Sequence, residues 1–324
     1  MKIAITELRQ KILNTLSANF TMEEANIIAD YLLWADMSGN KTQGLIKMTG
    51  TEPLQSIKPQ HEIKVERDTK LSQLINAGAN PAPLVSGVAT DVVIQKAKEH
   101  GFGLVGVHNY FSSNGAQAYY AERIAKEDLI GIVLCSQPAS VAPFNTIDPL
   151  FGTNPVGFSF PTQNDPLVFD MATSVMTWYG LVLAKARGEQ IPENMAIDND
   201  GNLTTDPAQA MGGALLPFDR GYKGSGIGMA IEIMAGPLVN AAYADLEGEW
   251  GALFIAIDPD LLIDAEKFKS SCTDLIRKIK SARKKPETGE VRLPGERAQA
   301  ARKEAEQSGY VVLDEAILKE LGYN

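Results

Sequence analysis

The segment from Gly101 to Gly106 limits the fold more than any other part of the sequence. Its letters, Gly-Phe-Gly-Leu-Val-Gly, match the G-x-G-x-x-G pattern of dinucleotide-binding proteins. That pattern marks a cofactor site only when a strand precedes the glycines and a helix follows them. Here the apolar spacing predicts a helix over Val88–His100, a left-handed stop at Gly101 and a buried strand at Leu104–Val107. The order is helix, glycine, strand, which argues against a Rossmann fold.

The rest of the chain alternates between helical and strand patterns. Apolar residues at helical spacing predict two helices within residues 6–36, and Thr21 with Glu24 forms a capping-box start. Glu232 and Pro237 interrupt the most apolar long stretch, Ile227–Ala244, so we expect a buried helix there rather than a membrane span. Further helices are expected at Gly115–Lys126, from Asp264 onward and after the turn Leu293–Glu296, and further strands at Ile130–Cys135, Leu167–Phe169 and Leu253–Ile257. This alternation predicts an α/β protein.

The composition is that of a packed globular protein. The 324 residues are 44% hydrophobic and 22% charged, with a net charge of −10. The acidic balance makes nucleic acid and anionic lipid poor partners. Cys135 and Cys272 lie far apart without C-x-x-C spacing, which favours a reducing compartment. The first residues show no apolar leader, so we expect a cytoplasmic protein with no membrane span and no metal site.

A second glycine-rich segment, Lys223–Gly228, precedes an apolar helical pattern. A lysine beside backbone N–H groups at a helix N-terminus suits an anion such as a pyrophosphate. The P-loop spacing is absent. Taken alone, this segment is interpreted equally well as a phosphate site or as a tight turn.

Nearly the whole chain carries short motifs in a characteristic order. They are Ala35–Lys47, Gly115–Ala121, Gly152–Pro155, Asp170–Ser174, Ile191–Pro192, Ala196–Asp198, Gly201 with Thr204–Pro207, Leu215–Pro217, Gly221–Gly224 and Leu293–Glu296. Each motif is weak alone, but their order and spacing resemble the type-2 malate/L-lactate dehydrogenase family. That family includes ureidoglycolate dehydrogenase, 2,3-diketo-L-gulonate reductase, sulfolactate dehydrogenase and the Δ1-piperideine-2-carboxylate reductases.

The resemblance implies a non-Rossmann, mixed-sheet α/β domain plus a helical domain built from both chain termini. The α/β domain would be residues 66–261, and the helical domain residues 1–65 with 262–324. The resemblance also implies NAD or NADP as cofactor, a small-molecule substrate and a homodimer with the cofactor near its interface. By matching positions, the cofactor would meet Gln137, Asp170, Met171, Ala172, Thr173, Lys223, Gly224, Pro294, Gly295 and Glu296. From the residues alone, Asp170 is a polar strand end and Pro294–Gly295 a type II turn.

The family's reacting centre is altered in this chain. Where relatives have Ser-His-Gly and then Arg, this sequence has Thr42, Gln43, Gly44 and then Lys47. Ser113 stands where some relatives have a second histidine. Glutamine does not deliver a proton near neutral pH. Lysine would hold a substrate carboxylate as a point charge, without the bidentate fork of arginine.

Two further residues are candidates for the reacting centre. Asp198 matches an acid that pairs with the first histidine in imine-reducing relatives, although its Asp-Asn-Asp-Gly sequence is also that of an exposed turn. His108 is interpreted either as a relocated acid or as a histidine at a strand end. Tyr110, Thr42 or a water relay would be the other proton sources.

Three functions therefore stay open. The leading one is an NAD(P)H-dependent oxidoreductase that delivers hydride to C2 of a small 2-oxo or 2-imino carboxylate, with the imine favoured because an iminium arrives already protonated. The second is a 2-hydroxy acid dehydrogenase of the malate, lactate or ureidoglycolate type that uses His108 or Tyr110. The third is a catalytically silent protein that keeps the cofactor fold.

Overall fold

The computed structural model describes residues 1–49, 54, 57, 61–244, 250–286, 289–313 and 315–323. Its strands are β1 Lys2–Ala4, β2 Lys64–Asp68, β3 Ser72–Asn76, β4 Phe102–Tyr110, β5 Ile130–Cys135, β6 Val156–Phe160, β7 Leu167–Met171, β8 Ala196–Ile197, β9 Leu203–Thr204, β10 Ala214–Leu215, β11 Trp250–Ile257 and β12 Tyr310–Val312. Its α-helices are α1 Ile5–Leu16, α2 Met22–Met37, α3 Ala82–His100, α4 Gln117–Ala125, α5 Trp178–Arg187, α6 Pro207–Gly212, α7 Tyr222–Ala235, α8 Ala265–Lys280, α9 Glu296–Ser308 and α10 Glu315–Glu320.

The main sheet is mixed. Within the described residues it has seven strands in the order β2-β3-β4-β11-β5-β6-β7. Strands β3 and β4 are parallel, and the other neighbours are antiparallel. A small three-stranded sheet, β10-β8-β9, lies outside it. The predicted non-Rossmann α/β class is therefore confirmed, while the predicted division into two domains stays a prediction.

Local sequence signals set several helix boundaries. At the start of α2, the Thr21 hydroxyl accepts from the Glu24 amide at 3.3 Å, and Glu24 accepts from the Thr21 amide at 2.8 Å, which is the predicted capping box. Gly101 ends α3 with φ +79, a conformation that costs glycine little. A Cβ on Gly103 would lie 2.4 Å from the Val93 carbonyl oxygen. The glycines thus stop a helix and let α3 pack closely on β4, as the segment order predicted.

Two predicted helices need correction. Helix α3 begins at Ala82, earlier than the predicted Val88, because Pro83 lies in the first turn, where its missing N–H has no intrahelical partner to lose. The apolar stretch Ile227–Ala244 was expected to be one buried helix; the helix is present, but the expectation is wrong about its length and about its burial. Helix α7 ends at Ala235, and Ile227, Met229 and Ile233 are about half exposed. The hydrophobicity of a sequence segment does not show whether an apolar helix face is packed in the core or exposed on the surface.

Segments from both chain ends pack together. Strand β1 pairs antiparallel with β12, and the N-terminal amine of Met1 donates to the Leu313 carbonyl oxygen at 2.7 Å. Helices α1 and α2 share the main hydrophobic core with α3, α4 and the sheet. The site residues on these elements therefore depend on contacts between distant parts of the sequence.

A buried ion pair fixes α9 to α4. Arg302 donates to both carboxylate oxygens of Glu122, at 2.7 and 2.8 Å. The same guanidinium donates to the Ser38 hydroxyl at 3.0 Å and lies 5.0 Å above the Trp34 ring. Both charged groups are almost fully buried, and Glu122 is also paired with Lys126 at 2.7 Å, so these contacts compensate the hydration that the two groups lose.

Candidate active site

The altered motif lies in a loop between α2 and a short 3-10 helix, Leu45–Met48. Thr42 is exposed, and Gln43 is half-buried with its backbone amide donating to the Asn40 carbonyl oxygen at 2.8 Å. The Gln43 amide oxygen is buried and has no hydrogen-bond partner among the described residues. Gln43, which stands where relatives have histidine, therefore carries a buried oxygen that can accept a hydrogen bond from a ligand.

Lys47 and Ser113 meet although 66 residues separate them. The Lys47 ammonium donates to the Ser113 hydroxyl at 2.8 Å and to its carbonyl oxygen at 3.2 Å. Both residues are half-buried. The predicted carboxylate-binding residue and the site of the family's second histidine thus form one cluster, and the serine contacts fix the direction of the lysine side chain.

The backbone before Ser113 is strained. Ser112 has φ +68, and its buried hydroxyl has no partner among the described residues. Non-glycine residues seldom adopt this conformation, and such strain is often found at functional sites. Gly115 follows with φ +83, and a Cβ there would lie 1.7 Å from the Tyr31 hydroxyl oxygen. The segment is therefore held against α2 by close packing.

Asp36, near the C-terminal end of α2, lies against the same loop. Its Oδ2 accepts from the Leu45 amide at 2.7 Å, and its Oδ1 is buried without a partner among the described residues. Burial raises the pKa of this carboxyl to about 7, although the Leu45 amide and the Lys41 charge act in the opposite direction. In the sequence, Asp36 stood out only as part of a family motif. Its place after a run of apolar helical residues could have indicated a buried carboxyl.

His108 and Tyr110 are engaged elsewhere. The His108 Nε2 lies 2.9 Å from the Glu66 carboxylate, and the ring is buried within β4 rather than at its end. The Tyr110 hydroxyl donates to the Gly251 carbonyl oxygen at 3.0 Å and contacts Cys135 Sγ at 3.1 Å. Burial raises the Tyr110 pKa well above its usual value. Tyr110 is therefore a poor proton donor, and a role of His108 as a relocated acid stays a prediction.

Asp198 forms the turn that its sequence predicts. Its Oδ1 accepts from the amides of Asn202 at 2.9 Å and Asp200 at 3.0 Å. These hydrogen bonds, that of Asn202 first, hold the pKa of the exposed carboxyl below its usual value. A role of Asp198 at the reacting centre stays a prediction.

The predicted cofactor residues Gln137 and Thr173 converge on Asn154. The Asn154 Oδ1 accepts from the Gln137 amide at 3.3 Å, and the Thr173 hydroxyl donates to the Asn154 carbonyl oxygen at 3.1 Å. The Asn154 side chain also donates to Glu232 of α7 at 2.6 Å. A Cβ on Gly228 of α7 would lie 3.5 Å from the Thr173 hydroxyl oxygen. Asn154 and Glu232, which the sequence analysis did not single out as site residues, thus join three chain segments.

Asp170 and the Pro294–Gly295 turn meet on β7. Asp170 accepts from the Ala118 amide at 3.0 Å at the start of α4. Gly295 has φ +80, and a Cβ there would lie 2.6 Å from the Val168 carbonyl oxygen, which agrees with the predicted type II turn. Glu296 closes the turn by accepting from Leu293 at 3.0 Å. Met171 and Ala172, the next two residues after Asp170, are half-buried.

Lys223 lies in the first turn of α7 and is exposed. The amides of Gly221 and Gly224 donate to Asp219 Oδ1 at 2.8 and 3.0 Å. The Gly224 amide is therefore occupied, which corrects the expectation of free donors there. The sequence alone did not show that Asp219 accepts from these amides. Fewer backbone donors are therefore available to an anion than the glycine-rich segment predicted.

Glycines bring the predicted cofactor residues close together. A Cβ on Gly152 would lie 2.3 Å from the Gln137 carbonyl oxygen, and one on Gly295 would lie 2.6 Å from the Val168 carbonyl oxygen, so only glycine allows these segments to approach so closely. Among the described residues, no group of three or more His, Cys, Asp or Glu could hold a metal ion. In the same part of the chain, no helix has the length and apolar character needed to cross a bilayer.

Comparison with known proteins places this geometry in context. The family model described as malate/L-lactate dehydrogenase matches residues 3–322. The malate/(S)-sulfolactate dehydrogenase of Methanothermus fervidus is 35% identical, over 96% of this chain and 92% of that protein. A Δ1-pyrroline-2-carboxylate/Δ1-piperideine-2-carboxylate reductase of Pseudomonas putida is 34% identical, over 76% of this chain and 74% of its own. The sulfolactate dehydrogenase structure from Methanocaldococcus jannaschii superimposes with a TM-score of 0.88 at 28% identity, covering 99% of this chain and 95% of that one.

Proposed function

Because the chain belongs to the malate/L-lactate dehydrogenase family, we propose that it transfers hydride between NAD(P)H and C2 of a small 2-oxo or 2-imino carboxylate. The observation that carries this proposal is the Lys47–Ser113 contact. This contact joins the residue that matches the family's carboxylate-binding arginine to the residue that matches its second histidine, and Lys47 lies close in sequence to Gln43, whose amide oxygen has no partner among the described residues. The chain is an NAD(P)-dependent oxidoreductase. The contact between Lys47 and Ser113 supports a carboxylate as its substrate class.

Lys47 binds the carboxylate of the substrate. Its contacts with Ser113 limit the positions of the ammonium group, so less side-chain freedom is lost when an anion arrives. A lysine makes a point-charge contact and accepts several carboxylate orientations. We therefore expect tolerance of differently shaped 2-oxo and 2-imino acids.

The cofactor supplies the hydride. Lys223 would balance the charge of its pyrophosphate, and the cluster of Gln137, Asn154 and Thr173 together with the Pro294–Gly295 turn would hold the rest of the cofactor. Their role is to orient the cofactor and exclude water from the reacting face.

The proton requirement favours imines. Hydride addition to a ketone leaves an alkoxide that must be protonated, whereas addition to an iminium leaves a neutral amine. Gln43 and Ser113 replace the family's histidines, and the buried Tyr110 is a poor acid. The Gln43 amide oxygen accepts a hydrogen bond from a substrate N–H, which a ketone oxygen does not offer.

A substrate panel tests this function. Purified protein is assayed with NADH and NADPH against 2-oxo acids and cyclic 2-imino acids, and the loss of nicotinamide absorbance is followed. We expect turnover of cyclic imino acids to exceed that of 2-oxo acids, and Lys47→Ala to raise KM roughly 50-fold, since a charged hydrogen bond is worth about 1.5–3 kcal/mol. Lys303→Ala, which alters a surface ion pair with Asp165, is the matched control.

Two results would contradict the proposal. Faster 2-oxo acid turnover that His108→Ala abolishes would support a 2-hydroxy acid dehydrogenase with His108 as its acid. Cofactor binding without turnover of any panel member would identify a catalytically silent protein.

We also propose a homodimer in the cytoplasm. The exposed apolar residues Ile227, Met229 and Ile233 on α7 support the dimer, because such a surface gains stability when a partner covers it. Sedimentation of the wild type and of Met229→Lys with Ile233→Lys tests this. The double variant should be monomeric, and a monomeric wild type would contradict the proposal.

A further inference from the structure

Asp36 is a buried acid that the reaction described above does not use. Only 4% of its surface is exposed, and its carboxylate accepts from the Leu45 amide at 2.7 Å. A Cβ on Gly44 would lie 2.1 Å from its Oδ2 and 2.7 Å from its Oδ1. The carboxyl therefore faces the backbone of Gly44, the residue that follows Gln43.

Two acceptor atoms at this place have no donor. Asp36 Oδ1 and Gln43 Oε1 are both buried and lack a hydrogen-bond partner among the described residues. A buried acceptor without a donor costs about 1–3 kcal/mol, so a ligand that brings donors to this loop would offset that cost. Among the described residues, the charged group that acts on this carboxyl is the Lys41 ammonium. The neutral Tyr31 hydroxyl also faces it, since Asp36 helps to raise the Tyr31 pKa, after the larger effects of burial and Asp170.

We propose that Asp36 is a positioning residue that makes the Gln43 loop select substrates with a protonated nitrogen at C2. This inference rests on the proposed function and identifies the substrate class of the same site. The carboxylate holds the loop through the Leu45 amide, and its negative charge favours a cation on the reacting atom. Gln43 accepts the hydrogen bond from that nitrogen.

A proton should leave the protein when such a ligand binds. With a pKa of about 7, roughly half of the Asp36 carboxyls are protonated at neutral pH in the empty site. A cation nearby lowers that pKa, so binding at pH 7 releases up to about half a proton. A ligand with a neutral hydroxyl at C2 gives no such release.

Calorimetry with matched ligands tests the inference. A cyclic secondary amino acid and a 2-hydroxy acid of similar size are titrated into the wild-type protein with NADH or NADPH bound, so that no turnover occurs. Each titration at pH 7 is repeated in phosphate and in Tris, because the difference in heat counts the released protons. The variants are Asp36→Asn, which keeps an acceptor for the Leu45 amide, and Asp274→Asn on the surface of α8 as control.

The wild type should release a proton only with the amino acid. Asp36→Asn should release none and bind the amino acid about tenfold more weakly, with unchanged affinity for the hydroxy acid. In the wild type, the preference for the amino acid should rise about tenfold between pH 6 and pH 8, which needs no variant. Equal losses for both ligands, or a preference that does not change with pH, would overturn the inference.

The two proposals fail in different ways. The proposed function fails if the wild type turns over no member of the substrate panel. The Asp36 inference fails if turnover is present and Asp36→Asn changes KM equally for imino and oxo acids, or if neither calorimetric ligand binds. If Asp36 had only a structural role, Asp36→Asn would change the KM for imino acids and for oxo acids by the same factor. The dependence of KM on pH would then be the same in the variant and in the wild type.

Discussion

The buried carboxyl of Asp36 makes a quantitative prediction about stability. Its pKa is raised from 3.8 to about 7, so the folded state holds this proton more tightly than the unfolded chain. Stability is therefore lost as the pH rises from the unfolded value through the folded value. Each pKa unit corresponds to about 1.4 kcal/mol, which gives a full cost of about 4 kcal/mol above pH 7.

The substitution Asp36→Asn removes this cost and keeps an oxygen that accepts from Leu45. Between pH 5 and pH 8, the free energy of unfolding of the wild type should fall by roughly 2.5 kcal/mol more than that of the variant, from the two pKa values in the linkage relation. Urea unfolding followed by tryptophan fluorescence at the two pH values measures it. Asp274→Asn, which changes an exposed carboxylate on α8, should parallel the wild type.

An equal difference in unfolding free energy between Asp36→Asn and the wild type at both pH values would contradict the raised pKa of Asp36. That result would mean that the Asp36 carboxyl titrates as it does in the unfolded chain, and that its environment is well hydrated. It would also remove the physical basis for the proton release proposed above.

Three further predictions follow from close contacts. Gly44→Ala should lower kcat/KM at least tenfold, because the new methyl would lie 2.1 Å from a buried carboxyl oxygen and the loop must shift. Arg302→Met should lower the free energy of unfolding by about 1–3 kcal/mol, because the buried Glu122 loses two charged hydrogen bonds but keeps its ion pair with Lys126, and adding Glu122→Leu should restore most of it. Asn154→Asp places a second carboxyl beside Glu232, 2.6 Å from the present amide, so the KM for the cofactor should rise with pH.

Matched controls separate these effects from general damage. Gly226→Ala places its methyl in open space within α7 and should leave activity intact and stability equal or slightly higher. Steady-state kinetics and urea unfolding of each variant provide the readouts. Unchanged activity in Gly44→Ala, a stable single Arg302→Met variant, or a flat pH profile in Asn154→Asp would each contradict its prediction.

Signals that act over a few residues were readable from the sequence. The Thr21–Glu24 capping box and the Gly101 stop depend on atoms within one turn, so the pattern fixes the geometry. The exposure of Ile227 and Met229 was not readable, because it depends on what lies against α7. The local sequence pattern therefore predicted the order of helices and strands better than it predicted which helix faces are buried.

The candidate site was predicted in part. The resemblance supplied Lys47 and Ser113 separately, and only the fold shows that they touch. Asp36 was missed because burial of a carboxyl near the end of a helix depends on the loop that folds back over it. Asp219, which occupies the amide of Gly224, was missed because a cap from an earlier residue in the turn resembles an ordinary loop acid.

The pairing of β1 with β12 sets an order of assembly. Lys2–Ala4 and Tyr310–Val312 lie at opposite ends of the sequence, and α9 carries Arg302, the partner of Glu122. During synthesis, α1 and α2 leave the ribosome long before the segments that cover them. Contacts between residues this distant in sequence form slowly. We therefore expect the sheet to fold first, and the helical layer with the turn at Gly295 to be completed after it.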